Sequence, residues 1–303
     1  MPAPPRGAGA GVISPPATYD AGEFAGATRG AAHSGRMLRW AIDRAWRAAA
    51  FGFLALIVLS LVLPQAVVIL SALNTATIVS FPLSGVTLRW FVRAVANPDF
   101  AEAALHSAVV AGATALIAGS LGTLIAYAGE RFAFRGRRLL EAGLSLPLLI
   151  PHFTLGLGLL ITAFQLGVAR TYGVIVAAHV LLVLPFVMRS VYVSLANLDE
   201  TLPLAAATLG ARPLTIVLRI ELPLLAPGIL CGLLLAAILS FTEFSASLFL
   251  VGRHTQTLPV AMYNYIQDFS EPTIAAVAAM MIVAVAAVLA CATRLIGLKR
   301  VLA

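Results

Sequence analysis

Long apolar runs joined by short polar connections dominate this chain. The runs fall near residues 49–73, 104–128, 140–165, 172–194, 225–250 and 273–295. Each can cross about 30 Å of hydrocarbon at a rise of about 1.5 Å per residue. Lipid offers no partner to an open amide, so the runs predict six transmembrane helices and an all-α polytopic membrane protein. Prolines interrupt several of them: Pro64 in the first, Pro147 and Pro151 in the third, Pro185 in the fourth and Pro227 in the fifth. Kinks are expected there.

The segment between the fourth and fifth runs, 198–227, is more polar than its flanks and still reads as helical. Asp199 is placed to cap a helix whose first turn holds Pro203. Ala205, Ala206 and Ala207 favour helix and permit close packing. Gly210 either ends that helix or allows a close backbone approach. After Pro213, Leu214, Ile216 and Val217 recur with apolar spacing, and Arg219 falls on the polar side. Pro223 and Pro227 then re-aim the chain into the fifth run. A short helix, a turn and a longer helix follow. The pattern suits a docking surface for a soluble partner and equally a purely structural helical hairpin.

The remaining connections predict a domain plan of four parts. Residues 1–34 are rich in Gly, Ala, Pro and Ser and read as a disordered tail. Residues 35–48 carry Trp40 and Trp46 among arginines and read as an interfacial helix. Residues 49–296 form the six-span domain, and 297–303 form a short tail. Loop 74–103 carries Phe81, Trp90, Phe91 and Phe100, which suit headgroup anchoring or an external partner. Loop 251–272 carries Arg253, His254, Gln256, Asp268 and Glu271 and is polar enough to be wetted.

Composition supports this picture. Of 303 residues, 60% are hydrophobic and only 11% charged, more apolar surface than a soluble domain can hide. The net charge of +7 does not point to nucleic acid, because the basic residues cluster between apolar runs without interleaved aromatics. With six spans, all but four of the 20 Lys and Arg residues lie on one side; Arg89, Arg93, Arg170 and Arg253 lie on the other. Both termini are therefore expected in the cytoplasm. Cys231 and Cys291 lie inside apolar runs and read as small hydrophobes.

Candidate chemistry is sparse. The single lysine, Lys299, follows no glycine-rich loop, so this chain holds no Walker-type nucleotide site. His106, His152 and His179 are spread over three runs and do not form a metal-ligand pattern. Glu243, inside the fifth run with Ser240, Thr242 and Ser245 around it, is the strongest intramembrane acid. It reads as a lining residue of a solute path or as an interhelical bond; Gln65 and His152 are weaker cases of the same kind.

The 198–227 segment resembles the cytoplasmic EAA loop of bacterial ABC importer permeases. Ala205 and Ala206 match that loop's two alanines, Gly210 its glycine four residues on, and Leu222–Pro223 its later hydrophobic–proline pair. Leu204 stands where the family has glutamate, with Asp199 and Glu200 nearby. Further matches are His106–Ser107, the run Arg131–Arg137, Leu184–Pro185–Phe186, Ser240–Phe241–Thr242–Glu243 and Thr257–Leu258–Pro259. Together they cover roughly 50–295 and are similar to the spermidine/putrescine-type subclass of MetI-like permeases.

The resemblance implies a translocation subunit of the bacterial inner membrane, not an enzyme, working in an ATP-driven, binding-protein-dependent importer. Its implied partners are two ABC ATPase subunits, a second permease (a homologue rather than a copy) and a periplasmic or lipid-tethered solute-binding protein. No cofactor is implied on this chain; ATP and Mg would belong to the ATPase. The implied coupling residues are Asp199, Glu200, Ala205, Ala206, Gly210, Pro213, Arg219 and Pro223. Path-lining residues would be His152, Ser240, Thr242, Glu243 and Ser245. The solute expected is small and polar, with a polyamine favoured by Glu243 and ferric iron, phosphonate or others as family alternatives. A self-sufficient secondary transporter is the rival reading.

Overall fold

The structure, a computed structural model, describes residues 21–78, 83–132 and 134–295, with backbone alone for 21–39, 41, 42 and 295. Every regular element among these is helical, and no sheet is present; one isolated bridge joins Asn74 and Val86. Five helices are long and apolar enough to cross a membrane, and a bent pair makes a sixth span if counted as one.

The chain divides into two compact units, Met1–Pro64 and Gln65–Ala303. Helix α1 (Ala21–Leu73) supplies the first span over Asp43–Leu73 and carries Pro64 within it. Residues 1–20 of the expected disordered tail, Phe81 and the tail 297–303 lie outside the described residues. Residues 21–34 and the expected interfacial segment 35–48 lie on α1.

In the second unit, loop 74–103 is more ordered than its composition suggests. Helix α2 (Arg89–Ala96) forms within it, and α3 (Pro98–Arg131) begins before the loop was expected to end. Asn97 caps α3 by accepting from the Asp99 amide at 2.9 Å, and Pro98 occupies the first helical position. Two of the loop's aromatics, Trp90 and Phe100, turn inward, and Phe91 is half-buried. Trp90 is buried and donates Nε1–H to the Asn74 carbonyl at 2.8 Å. Phe100 is buried with its ring 5.0 Å from that of Tyr265. The partner ring comes from α11 (Leu258–Asp268), a helix hidden inside the second polar loop.

The third run is broken rather than kinked. Helix α4 (Arg137–Ser145) continues as a 3-10 turn to Leu149, and α5 (His152–Gln165) leaves at 103°. The cause is local. Pro151 offers no amide, and Ile150 before it is held extended at φ −91° and ψ 130°.

Helix α6 (Tyr172–Ala196) tolerates Pro185 and packs with α3 and α9 (Leu222–Phe241) as the core of the bundle. Ala115, Ala118, Val183, Val187 and Ala236 make one buried cluster there; Ala126, Val191, Leu195 and Leu225 make another. Small residues let these helices approach closely, which in lipid replaces the hydrophobic drive available in water. Between α6 and α9 lie α7 (Thr201–Thr208), α8 (Pro213–Ile216) and one π-helical turn, Val217–Glu221. Past α9 come α10 (Ser247–Leu250), α11 and α12 (Thr273–Leu295).

Candidate functional site

The 198–227 segment has the helix–turn–helix form its residues predict. Asp199 accepts from the Thr201 amide at 2.9 Å, one residue ahead of the formal cap position held by Glu200. That backbone bond, with the Thr201 hydroxyl adding to it, holds the Asp199 carboxyl below its ordinary range. Ala205 and Ala206 lie in α7. The helix then closes in a Schellman motif: Gly210 donates to Ala207 and Ala211 to Ala206, both at 3.0 Å. Gly210 has φ +83°, which an L side chain rarely adopts, and a Cβ there would meet nothing within 4 Å. Within this chain the glycine serves the turn, not a close approach. Pro213 opens α8, Arg219 lies exposed in the π turn, and Pro223 is the second residue of α9.

Helix α7 buries none of its residues. Leu204 is 63% exposed, Leu209 is 88% exposed and Leu202 is also exposed. These leucines lie outside every membrane-length helix.

An ionic network ties this segment to the bundle. Glu221, its side chain only 5% exposed, accepts from Arg131 Nη2 at 2.5 Å and from the Tyr127 hydroxyl. Arg131 also reaches Glu200 at 3.4 Å. Beside it, Arg137 bonds Glu141 and Glu130, both at 2.8 Å, and the Tyr192 hydroxyl donates to Glu141 at 2.8 Å. Sequence reasoning missed these partners. The available signal was Glu221 itself, the single acid between Thr201 and Thr242.

The second group of expected residues is only partly gathered. Helix α9 stops at Phe241, so Glu243 lies in the connection just past that membrane-length helix. The apolar run continues past it as the separate α10, which is why the break was not visible. Glu243 Oε2 is 3.1 Å from His152 Nδ1, and its Oε1 accepts from the Ala246 amide at 2.9 Å. Ser240 faces elsewhere: it is buried, 2.7 Å from His179 Nδ1, while Ser247 meets the other ring nitrogen at 2.8 Å. Thr242 bonds back to the Ile238 carbonyl at 2.9 Å, and Ser245 is half-buried. His106 has its own partner, the Gln256 carbonyl at 3.2 Å. Among the described residues no group of three or more His, Cys, Asp or Glu side chains is disposed to hold a metal.

Comparison with known proteins agrees with this architecture. Residues 118–301 match the family described as the binding-protein-dependent transport system inner membrane component. The chain is 29% identical to the spermidine/putrescine transport system permease protein PotC of Escherichia coli strain K12, over 77% of this chain and 88% of that one. It is 31% identical to the molybdenum transport system permease protein ModB of Mycobacterium tuberculosis strain H37Rv, over 73% and 90%. A chain of a bacterial ABC transporter involved in import of the acidic polysaccharide alginate shares the fold, with TM-score 0.60 and 16% identity over 83% and 96% of the two chains. The protein belongs to the family of ABC-importer permeases with binding-protein-dependent transport. Membership makes it a translocation subunit, and its relatives serve chemically different solutes.

Proposed function

We propose that this chain is the membrane-spanning half of an ATP-driven importer, receiving a small polar solute from a binding protein and passing it inward. Two ATPase subunits bearing ATP and Mg, and a second, homologous permease, complete the assembly. Both termini and the 198–227 segment face the cytoplasm, following the bias of Lys and Arg. The observation that carries the reading is α7: a capped, ordered helix with exposed leucines and no buried residue. Such a helix is stable where another protein covers it. ATP-driven closure of the ATPases pushes on residues 199–219 and shifts the bundle between outward- and inward-facing states.

The leaning toward a polyamine rests on Glu243 as a carboxylate available to a cation. Both its oxygens already have partners, His152 and the Ala246 amide, so it gives little reason to prefer one. His152, Thr242 and Ser245 remain candidates for the path on exposure, and Ser240 a support for the helix contact.

Affinity purification of the tagged chain in mild detergent, followed by mass spectrometry, tests the assembly. An ATPase and a second permease are expected with it; an intact, folded chain recovered alone would favour a self-sufficient transporter. Gly210 tests the coupling. Gly210→Val is expected to abolish transport with membrane insertion intact, whereas Gly210→Asn, which tolerates the left-handed region, keeps it. Transport by Gly210→Val at the parental rate would remove the assignment.

A further inference from the structure

A groove of about 640 Å³ lies between the bent third span, α6 and α9, lined among others by Ser145, Arg189, Ser190, Ser194 and Cys231. Arg189 is the charged group of this lining, and among the described residues no hydrogen bond or ion pair holds it. Its side chain is exposed in this chain alone, so its place along the bundle is what singles it out. It precedes the end of α6 at Ala196 by two helical turns, about 10 Å. The partner helix gives the same measure: Ser190 donates to the Gly228 carbonyl at 2.8 Å, and Gly228 is about two turns into α9 from Glu221. Arg189 therefore sits deeper than the ionic rim formed by Arg131 and Glu221. A guanidinium at such depth is costly unless it lines a wetted cavity or meets a counter-charge.

We propose that this groove is an anion-binding station on the solute path, with Arg189 as its charge and the hydroxyl of Ser194 as a donor beside it. The inference rests on the importer reading and gives its solute class: a small oxyanion or carboxylate in preference to a polyamine. A guanidinium with its donors unused suits two oxygens of one anion. Ser190 donates to the Gly228 carbonyl and Ser145 to the Glu141 carbonyl, so neither has a hydrogen left for an anion, and Ser194 is the lining serine that keeps its hydroxyl donor.

Cys231 supplies a native probe, because it lines the same groove. The full chain carrying Cys291→Ser is purified in maltoside detergent. Cys231 is then modified with sulfonatoethyl or trimethylammonioethyl methanethiosulfonate, each rate normalised to that with 2-mercaptoethanol. The sulfonate is expected to be favoured on the order of 10-fold, from one unit charge acting across a partly wetted groove. Arg189→Gln returns the ratio to about one and Arg189→Lys retains most of it. A ratio that Arg189→Gln leaves unchanged overturns the proposal, and so does a Cys231 that neither reagent reaches. Excess sulfate slowing the sulfonate reagent supports a solute station; slowing by phosphatidylglycerol alone assigns the groove to lipid headgroups and overturns it. Solute released from the co-purified binding protein is expected to be anionic, and a cation there overturns the assignment. If no ATPase accompanies the chain, the importer reading fails, while the thiol ratio still decides the charge of the groove.

Discussion

Helix α9 carries a carboxylate at each end, and the two are held by different means. At its start, Glu221 is buried in a π turn and bonded to Arg131 and Tyr127 of α3. Beyond its other end, Glu243 lies in a turn and pairs with His152 of α5, a partner charged only when protonated. The first end depends on ions. The second depends on neutral bonds and close packing: His179 bridges Ser240 and Ser247, Phe153 packs edge-on to Phe244 and Phe249, and Gly156 abuts the Ala246 backbone. The difference follows from what each end must hold. Helix α7 buries nothing of its own, so it needs tethers through Glu200 and Glu221 to keep a fixed place on the bundle. The turn at Glu243 is surrounded by α5, α6 and α10, and packing suffices.

Removing the ion at the first end is expected to have the largest effect. Glu221→Ala leaves Arg131, 24% exposed, without its main counter-charge and Tyr127 without its acceptor. The expected loss is about 3–5 kcal/mol, the usual cost of breaking a buried pair from one side. Thermal unfolding in detergent checks it. An unchanged midpoint would mean that the network does not tether the segment.

At the packed end, Gly156→Ala should come next. Its added Cβ would lie 2.8 Å from both the Cα and the carbonyl oxygen of Ala246, backbone atoms that cannot swing aside. A loss of about 1–3 kcal/mol is expected. The same thermal assay reads it, and a neutral result would show that the turn at Glu243 is looser than its contacts indicate.

Much of this comparison was legible in the sequence, and the rest was hidden for physical reasons. The apolar runs near 104–128, 172–194 and 273–295 fall on α3, α6 and α12 because an uninterrupted apolar helix is the simple solution in lipid. The cap at Asp199 and the glycine turn at 210 were readable because both are local chemistry. The break after Phe241 was not, since apolar residues continue on both sides of Glu243. Nor was the 103° bend, because Pro151 announces a disruption and not its size. The pairings Glu221–Arg131 and Glu243–His152 join residues about 90 apart in sequence, and no spacing rule reaches that far.

Glu243→Gln sharpens the contrast between the ends. The amide oxygen still accepts from Ala246, and only the ionic part of the His152 contact is lost. His152 is 42% exposed, so screening leaves less than about 1 kcal/mol at stake. Thermal unfolding of Glu243→Gln beside Glu221→Gln is the direct test. Equal losses would show that both ends rely on charge and would dissolve the distinction.

The smallest effect belongs to the cap of α7 and concerns pH. Asp199 accepts the Thr201 amide in its charged form, and its folded carboxyl is held below the ordinary range. A depressed carboxyl contributes stability that is present above its unfolded value, about 3.9, and is lost as pH falls through the lower folded value. The effect is local, because Asp199 is fully exposed and α7 buries nothing. Hydrogen exchange at the amides of Ala205 to Leu209, corrected for intrinsic rate, should therefore lose protection below about pH 4 and hold steady above it. Asp199→Asn keeps an acceptor at the same place without a titrating group, so its protection should be independent of pH across that range. If the variant and the parent lose protection together, the acid sensitivity arises elsewhere, with the Glu200 and Glu221 tethers as the next groups to test.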